Sequence, residues 1–234
     1  MAAYLKHIDP NHLLEVGLEG FYGPSNANKN QGVSFYEVGT DFITNNQNSL
    51  IDFATIHAYP STWLENGSSD EEQVEFLRKW IEVHIDDAQN TLKKPMLLAE
   101  FGKSDKDSGF TVAKRDILMR TAYAAVYSSA QAGGAAAGSL FWQIMTEGAE
   151  DFEDGYEIFL SRTSSTTDII FEESQRLAKL RGMYARLENV KEWKNKNKNK
   201  NKNKNKNKNK NKNKNKNKNK GASAREIHGN GNGN

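Results

Sequence analysis

Four short apolar runs recur along the chain, and each is followed by a loop and then by a helical pattern. The runs lie at residues 13–18, 51–57, 96–101 and 136–142. Continuous apolar strands that alternate with helices are typical of a parallel sheet buried between layers of helix. The pattern therefore predicts an α/β fold built from strand–helix units.

The helices between these runs have ends that can be read from single residues. Ser69 and Glu72 have the spacing of a capping box, in which each side chain satisfies a free backbone N–H at the helix start. Pro95 bars this helix from continuing. Its apolar positions recur at steps of three and four residues, which places them on one face: Val74, Leu77, Ile81, Ile85, Ala88 and Leu92. Further helices are predicted at about residues 2–8, from 40, at 112–132 and at 167–187.

Polar and aromatic side chains cluster where each predicted strand ends. They are Tyr22 after the first run, His57 and Tyr59 at the second, Glu100 at the third and Trp142 at the fourth. In a (β/α) barrel the carboxyl ends of the strands carry the chemistry. The sequence therefore predicts a site at this face, formed by half of the eight units that a closed barrel needs.

The charge of the chain is divided unevenly between a folded body and a tail. Residues 1–193 carry 17 basic and 29 acidic side chains, whereas residues 194–220 alternate Lys and Asn throughout. This predicts a globular domain at 1–193 and a low-complexity, disordered tail at 194–234. An expanded nucleotide repeat would produce such a tail; the alternative is a polyanion-binding arm, acting on nucleic acid or acidic polysaccharide through counterion release.

Several classes of protein are excluded by composition. No run of 18 apolar residues could span a membrane, and the first ten residues do not resemble a secretory signal. The absence of Cys rules out disulfides, thiol catalysis and zinc ribbons. The acidic body argues against nucleic-acid binding outside the tail.

Six motifs follow one another along the chain. They are Leu18-Glu19-Gly20-Phe21-Tyr22-Gly23, Gly39-Thr40-Asp41-Phe42, His57-Ala58-Tyr59-Pro60, Leu97-Leu98-Ala99-Glu100-Phe101-Gly102-Lys103, Phe141-Trp142-Gln143 and Asp154-Gly155-Tyr156-Glu157. Together, and with several of them in the family's order, they resemble plant endo-β-1,4-mannanases of glycoside hydrolase family 5. The resemblance covers roughly residues 1–190 and implies the last four units of a (β/α)8 barrel of TIM type. It also implies a retaining hydrolase of mannan, glucomannan and galactomannan, with no cofactor or metal.

The resemblance assigns roles to four residues. Glu100 matches the family nucleophile at the end of strand seven. His57 and Tyr59 match the substrate-binding pair after strand six, and Trp142 matches the sugar-stacking tryptophan after strand eight. By contrast, Trp63, Trp80 and Trp193 are interpreted as structural, and Glu19 is a conceivable substitute acid. The acidic residues between 151 and 157 are interpreted as a solvated loop.

The sequence departs from the family in one important respect. The family's general acid/base is a Glu in an Asn-Glu-Pro motif after strand four, and no Asn-Glu-Pro occurs here. The alternative hypothesis is therefore an inactive truncated homologue, at most a mannan-binding remnant or the product of a decayed gene. Open sheet edges would favour self-association. The family is secreted to the cell wall, whereas without a signal this chain would be cytoplasmic if Met1 is the true start.

Overall fold

The computed structural model describes residues 1–33, 39–65, 67–162 and 164–192. The described chain divides after Lys179, so that Met1–Lys179 is one compact unit and residues 180–192 belong to a second. The predicted low-complexity tail at 194–234 lies outside the described residues, so its disorder and the domain limit at 193 stay predictions. In the described ranges no helix combines the length and the apolarity needed to cross a membrane.

A three-stranded parallel sheet forms the centre of the first unit. Its strands are β1 (Ala54–Ala58), β2 (Met96–Phe101) and β3 (Ala136–Ser139), in the order β1-β2-β3. They confirm the second, third and fourth predicted strands. A second, two-stranded parallel sheet, which the sequence did not predict, pairs β4 (Ile144–Met145) with β5 (Ile158–Phe159).

The first predicted strand, at residues 13–18, is wrong, because this segment is not a strand. The φ angles of Gly17 and Gly20 are +71° and +107°, in the left-handed region that interrupts an extended ladder. Hydrogen bonds to the sheet are isolated ones, such as that from the backbone N of His57 to the carbonyl of Glu19 at 3.0 Å. The segment therefore lies beside β1 without extending the sheet.

Helices connect the strands and cover one face of the sheet. The predicted capping box is present at the start of the helix at Asp70–Asp87, with 2.8 Å from Ser69 N to Glu72 Oε2 and 3.2 Å from Glu72 N to Ser69 Oγ. The α-helices are α1 (Ala2–Ile8), α2 (Phe42–Asn46), α3 (Pro60–Trp63), α4 (Asp70–Asp87), α5 (Val112–Gln131) and α6 (residues 165–192). Shorter turns are 3-10 at Pro24–Asn30 and Glu150–Phe152 and π-helical at Ala88–Leu92.

The core lies between β1, β2 and the apolar faces of α4 and α5. Alternate residues of the strands, including Ile56 and Leu98, are fully buried against these helices. An aromatic cluster continues the core towards the end of β1, where Trp80 stacks on Phe76 with 5.7 Å between ring centroids. Trp63 packs on Trp80 at 5.3 Å, so both tryptophans are structural, as interpreted from the sequence.

The surface beside β3 contains an open cavity and exposed apolar side chains. Within the described residues β3 is an edge strand. Beside it lies an open cavity of about 410 Å³. Leu140 and Ile144, which line that cavity, are each 55% exposed. Also lining it are Ser139 Oγ and Glu173 Oε1, buried atoms that lack a hydrogen-bond partner in the described part of the chain.

We propose that a second copy of the chain covers this edge, because exposed apolar edges invite pairing with another chain. Sedimentation velocity is expected to show a species of twice the 26.3 kDa chain mass. Leu140→Lys should shift it to monomer. The control is Ile117→Lys, since Ile117 is also 55% exposed but lies on α5. A wild-type monomer at all concentrations would contradict this prediction.

Candidate active site

An irregularity in the pairing of β1 with β2 determines which side chains face each other at the strand ends. Ile56 pairs with Leu98, but His57 pairs with Glu100, so Ala99 has no partner on β1. Paired residues of parallel neighbours point to the same face of the sheet. This β-bulge therefore places Glu100 on the same face as His57, away from the helix-covered face of Ile56 and Leu98.

The Glu100 carboxylate is held by two side chains from the end of β1. The phenol of Tyr59 donates a hydrogen bond to Glu100 Oε2 at 2.8 Å, and His57 Nδ1 lies 3.4 Å from the same oxygen. Glu100 remains 32% exposed and is open to a ligand. Burial, together with the bond to the Glu100 carboxylate, raises the pKa of Tyr59. The phenol therefore stays protonated and donates throughout the ordinary pH range.

The backbone of His57 is fixed from two directions. Its backbone N–H donates to the backbone carbonyl of Glu19. Its carbonyl accepts a 2.8 Å hydrogen bond from the indole Nε1 of fully buried Trp80. Trp80 therefore positions the site as well as filling the core. Sequence reasoning missed this role because nothing in the local pattern of α4 shows what an indole N–H contacts.

Trp142 lies just beyond β3 and is 38% exposed. Its backbone N donates to the carbonyl of Phe101 at 2.9 Å, which ties it to the end of β2, and its peptide bond to Gln143 is cis. A Cβ at Gly102 would come within 2.6 Å of the Trp142 carbonyl oxygen, so only glycine fits there. The indole Nε1 donates to Asp154 Oδ2 at 2.8 Å.

Residues 154–157 are better described as part of the site than as a solvated acidic loop. Asp154 binds the indole of Trp142, and the ring of Tyr156 lies edge-on to Tyr59 with 5.4 Å between centroids. Glu157 turns back to accept from the backbone N–H groups of Asp154 and Gly155. The sequence offered one signal for this, because residues 154–157 form one of the motifs shared with the mannanases.

Comparison with known proteins decides the family. A sequence model described as GH family 5 beta-mannosidase-like matches residues 1–154. The chain belongs to glycoside hydrolase family 5. The family 5 chain is 51% identical over 194 residues to mannan endo-1,4-beta-mannosidase 7 of Arabidopsis thaliana, which covers 83% of this chain and 45% of that protein. It is 54% identical over 181 residues to putative mannan endo-1,4-beta-mannosidase 9 of Oryza sativa subsp. japonica, covering 77% and 44%.

Solved structures show the same fold. The endo-beta-1,4-mannanase from Thermotoga petrophila superposes with a TM-score of 0.60 at 30% identity, covering 76% of this chain and 38% of that one. The predicted fold class, part of a (β/α)8 barrel, is therefore confirmed. The family 5 chain spans a little under half the length of the curated relatives it matches.

The structure brings all four sequence-predicted site residues of the family 5 chain to one end of the sheet. Glu100, His57 and Tyr59 make direct contacts, whereas Trp142 joins them through Tyr156 and Asp154. Across the described ranges, no group of three or more acidic or histidine side chains is arranged to hold a metal ion.

A buried cation anchors the loop that follows Glu100. Lys103 is 4% exposed, and its Nζ donates to Gln73 Oε1 at 2.7 Å. The same Nζ lies 3.2 Å from Asp70 Oδ1 and 3.5 Å from Asp107 Oδ2. Because a buried charge is costly unless it is paired, this network fixes the end of β2 against the start of α4.

Proposed function

We propose that this chain carries the nucleophile of a retaining endo-β-1,4-mannanase that acts on mannan, glucomannan and galactomannan. Glu100 is the nucleophile, and His57, Tyr59 and Trp142 bind the sugar. The observation that carries the proposal is the 2.8 Å hydrogen bond from Tyr59 to Glu100, at the carboxyl ends of the parallel strands β1 and β2. Family membership and the mannosidase relatives support the substrate class.

The geometry suits attack by a carboxylate on a sugar. Glu100 forms a bond to the anomeric carbon while the bond from that carbon to the leaving oxygen breaks, and water later releases the sugar. Tyr59 fixes one carboxylate oxygen through a hydrogen bond to the charged form, which restricts the orientation of the nucleophile. His57 contacts that same oxygen from the neighbouring strand end.

Trp142 supplies the surface on which a sugar ring would stack. An aromatic face presents apolar area and a negative quadrupole to the C–H groups of a sugar, whereas the indole N–H needs a polar partner. Asp154 is that partner here, which leaves the ring faces available.

A complete retaining mechanism also requires a second carboxyl group, at about 5–5.5 Å from the nucleophile, to protonate the leaving oxygen. In the relatives' family this is the Glu of an Asn-Glu-Pro motif, which this sequence does not contain. Loss of acid assistance costs roughly 10²–10⁴-fold in rate. We therefore keep the second hypothesis, that the chain by itself does not turn over mannan.

The nucleophile can be tested without the acid. A dinitrophenyl mannoside with fluorine at C2 has a leaving group that departs as the phenolate, without needing a proton. We expect the chain to gain the mass of one fluoromannosyl group, and peptide mapping to place it on Glu100. The proposal would be overturned by a chain that circular dichroism shows to be folded but that stays unlabelled or carries the label elsewhere.

Turnover is measured separately, as release of reducing ends from mannan by the same preparation. We expect none from the chain alone. Because labelling needs only the nucleophile and hydrolysis needs both carboxyl groups, label without hydrolysis indicates a nucleophile that lacks its acid. Hydrolysis by the chain alone would contradict the second hypothesis.

A further inference from the structure

The loop at residues 154–157 touches both Trp142 and Tyr59. Asp154 Oδ2 accepts from the indole of Trp142 at 2.8 Å, and its other oxygen, Oδ1, accepts from the backbone N of Tyr156 at 3.0 Å. Both carboxylate oxygens are therefore engaged, one by the indole of Trp142 and one by the backbone of the loop. Asp154 consequently links the Trp142 side chain to the segment that carries Tyr156.

Tyr156 carries the connection onward to the nucleophile. Its ring lies against Tyr59, its hydroxyl is 3.4 Å from Thr62 Oγ1, and Tyr59 in turn donates to Glu100. The loop is also held by the segment that follows β2, because the backbone N of Asp105 donates to the carbonyl of Gly155 at 2.7 Å. The ends of β1, β2 and β3 are thus linked through one short segment.

The charge state of Asp154 favours this role. Partial burial acts to raise its pKa, but hydrogen bonds with the indole of Trp142, the backbone N–H of Tyr156 and the side chains of Gln143 and Glu157 together lower the pKa. The side chain is therefore a carboxylate, and a charged acceptor forms a stronger hydrogen bond than a neutral one.

We propose that Asp154 is the positioning residue of the Trp142 platform: it fixes the indole plane by its Nε1, so that one face is held open to a mannosyl unit beside Glu100. The choice of a mannosyl unit rests on the proposed function; the positioning itself rests on the contacts alone. Without the carboxylate the indole can rotate about its side-chain bonds. Sugar binding would then have to order the indole, and this entropy cost would weaken the affinity for the sugar.

The position of the indole is measured first, without any sugar. In the chain labelled with nitrogen-15 in tryptophan, the Nε1–H signal of Trp142 is identified by its absence in Trp142→Phe. We expect Asp154→Ala to move this signal and to speed its exchange with water, and Asp154→Asn, which keeps an acceptor oxygen, to restore it in part. Asp151→Ala is the matched control, because it removes an exposed acidic side chain nearby without touching the indole. An unchanged signal in Asp154→Ala would overturn the proposal.

Sugar binding is measured next, by calorimetric titration with mannohexaose. Asp154→Ala is expected to weaken binding about 10-fold, the size of effect typical of losing a charged hydrogen bond. The same change made in a Trp142→Phe background should cost nothing more, because phenylalanine has no N–H for Asp154 to hold. An equal loss in both backgrounds would show that Asp154 acts by another route and would refute the positioning role.

The two proposals fail in different ways. If the wild-type chain binds no mannohexaose, the proposed function is wrong as to substrate, and the indole signal alone still decides whether Asp154 positions Trp142. If the chain binds the sugar and Asp154→Ala binds it equally well, the proposed function survives and the inference fails.

Discussion

Glu100→Gln is expected to abolish covalent labelling by the fluoromannoside completely. The amide occupies the same volume and can still accept from Tyr59, but its oxygen is a far poorer nucleophile than a carboxylate. The substitution therefore removes the attacking charge with little change in packing. Mass spectrometry after prolonged incubation measures the result, and a thermal transition equal to that of the wild type shows that the fold is intact.

The matched control for this variant is Glu19→Gln. Glu19 is exposed and also follows an apolar run, and its backbone carbonyl, which the substitution leaves unchanged, accepts from the backbone N of His57. Labelling should proceed in this variant as in the wild type. A label that persists in Glu100→Gln, or one that is lost in Glu19→Gln, would assign the nucleophile elsewhere.

Acidification from pH 7 to about 4 is expected to lower the free energy of unfolding through His84. This side chain is fully buried, and its two ring nitrogens lie 2.6 Å from the Trp80 carbonyl and 2.7 Å from the Gly20 carbonyl. Burial lowers the pKa of His84 from 6.5 to about 4, against the opposing effects of these carbonyls and of Asp87.

The sign of the effect follows from proton binding. Between pH 6.5 and about 4 the unfolded chain takes up a proton at His84 and the folded chain does not. Stability is therefore lost as the pH falls through this window, by about 3 kcal/mol in all. Above pH 6.5 the ring is neutral in both states and contributes no pH dependence.

Urea unfolding at pH 7, 5.5 and 4 measures this loss. Carboxylates also titrate in the acid part of the range, so the informative quantity is the difference between wild type and His84→Gln, which lacks the titrating ring. The control is His7→Gln, because His7 is exposed. Equal pH dependence in wild type and His84→Gln would contradict the prediction.

Much of the fold was predictable because its signals are local. The capping box of α4 depends on two residues three apart, and the bounds predicted for β2 match those observed, since a short apolar run lies between Pro95 and Gly102. The first predicted strand failed because an apolar run does not reveal that Gly17 has a left-handed φ. Hydrophobicity determines what is buried, whereas the backbone angle decides whether the segment can join a ladder.

The site was predictable only in part. Strand-end placement and family resemblance picked out Glu100, His57, Tyr59 and Trp142, and the structure brings them to one end of the sheet. The supports of these residues were missed because they act across long separations in sequence. Trp80 reaches a backbone carbonyl 23 residues away, and Asp154 reaches an indole 12 residues away.

Ala99 is one residue more on β2 than β1 has between the pair Ile56–Leu98 and the pair His57–Glu100. If β2 were regular at its present length, Ala99 would pair with His57, and the Glu100 carboxylate would turn towards the helices. A change that flattens the bulge would therefore separate the nucleophile from Tyr59 without altering either side chain. Deletion of Ala99 would instead preserve the pairing, because Glu100 would then follow Leu98 directly. A relative that is one residue shorter at this point can thus keep the same arrangement of nucleophile and partners.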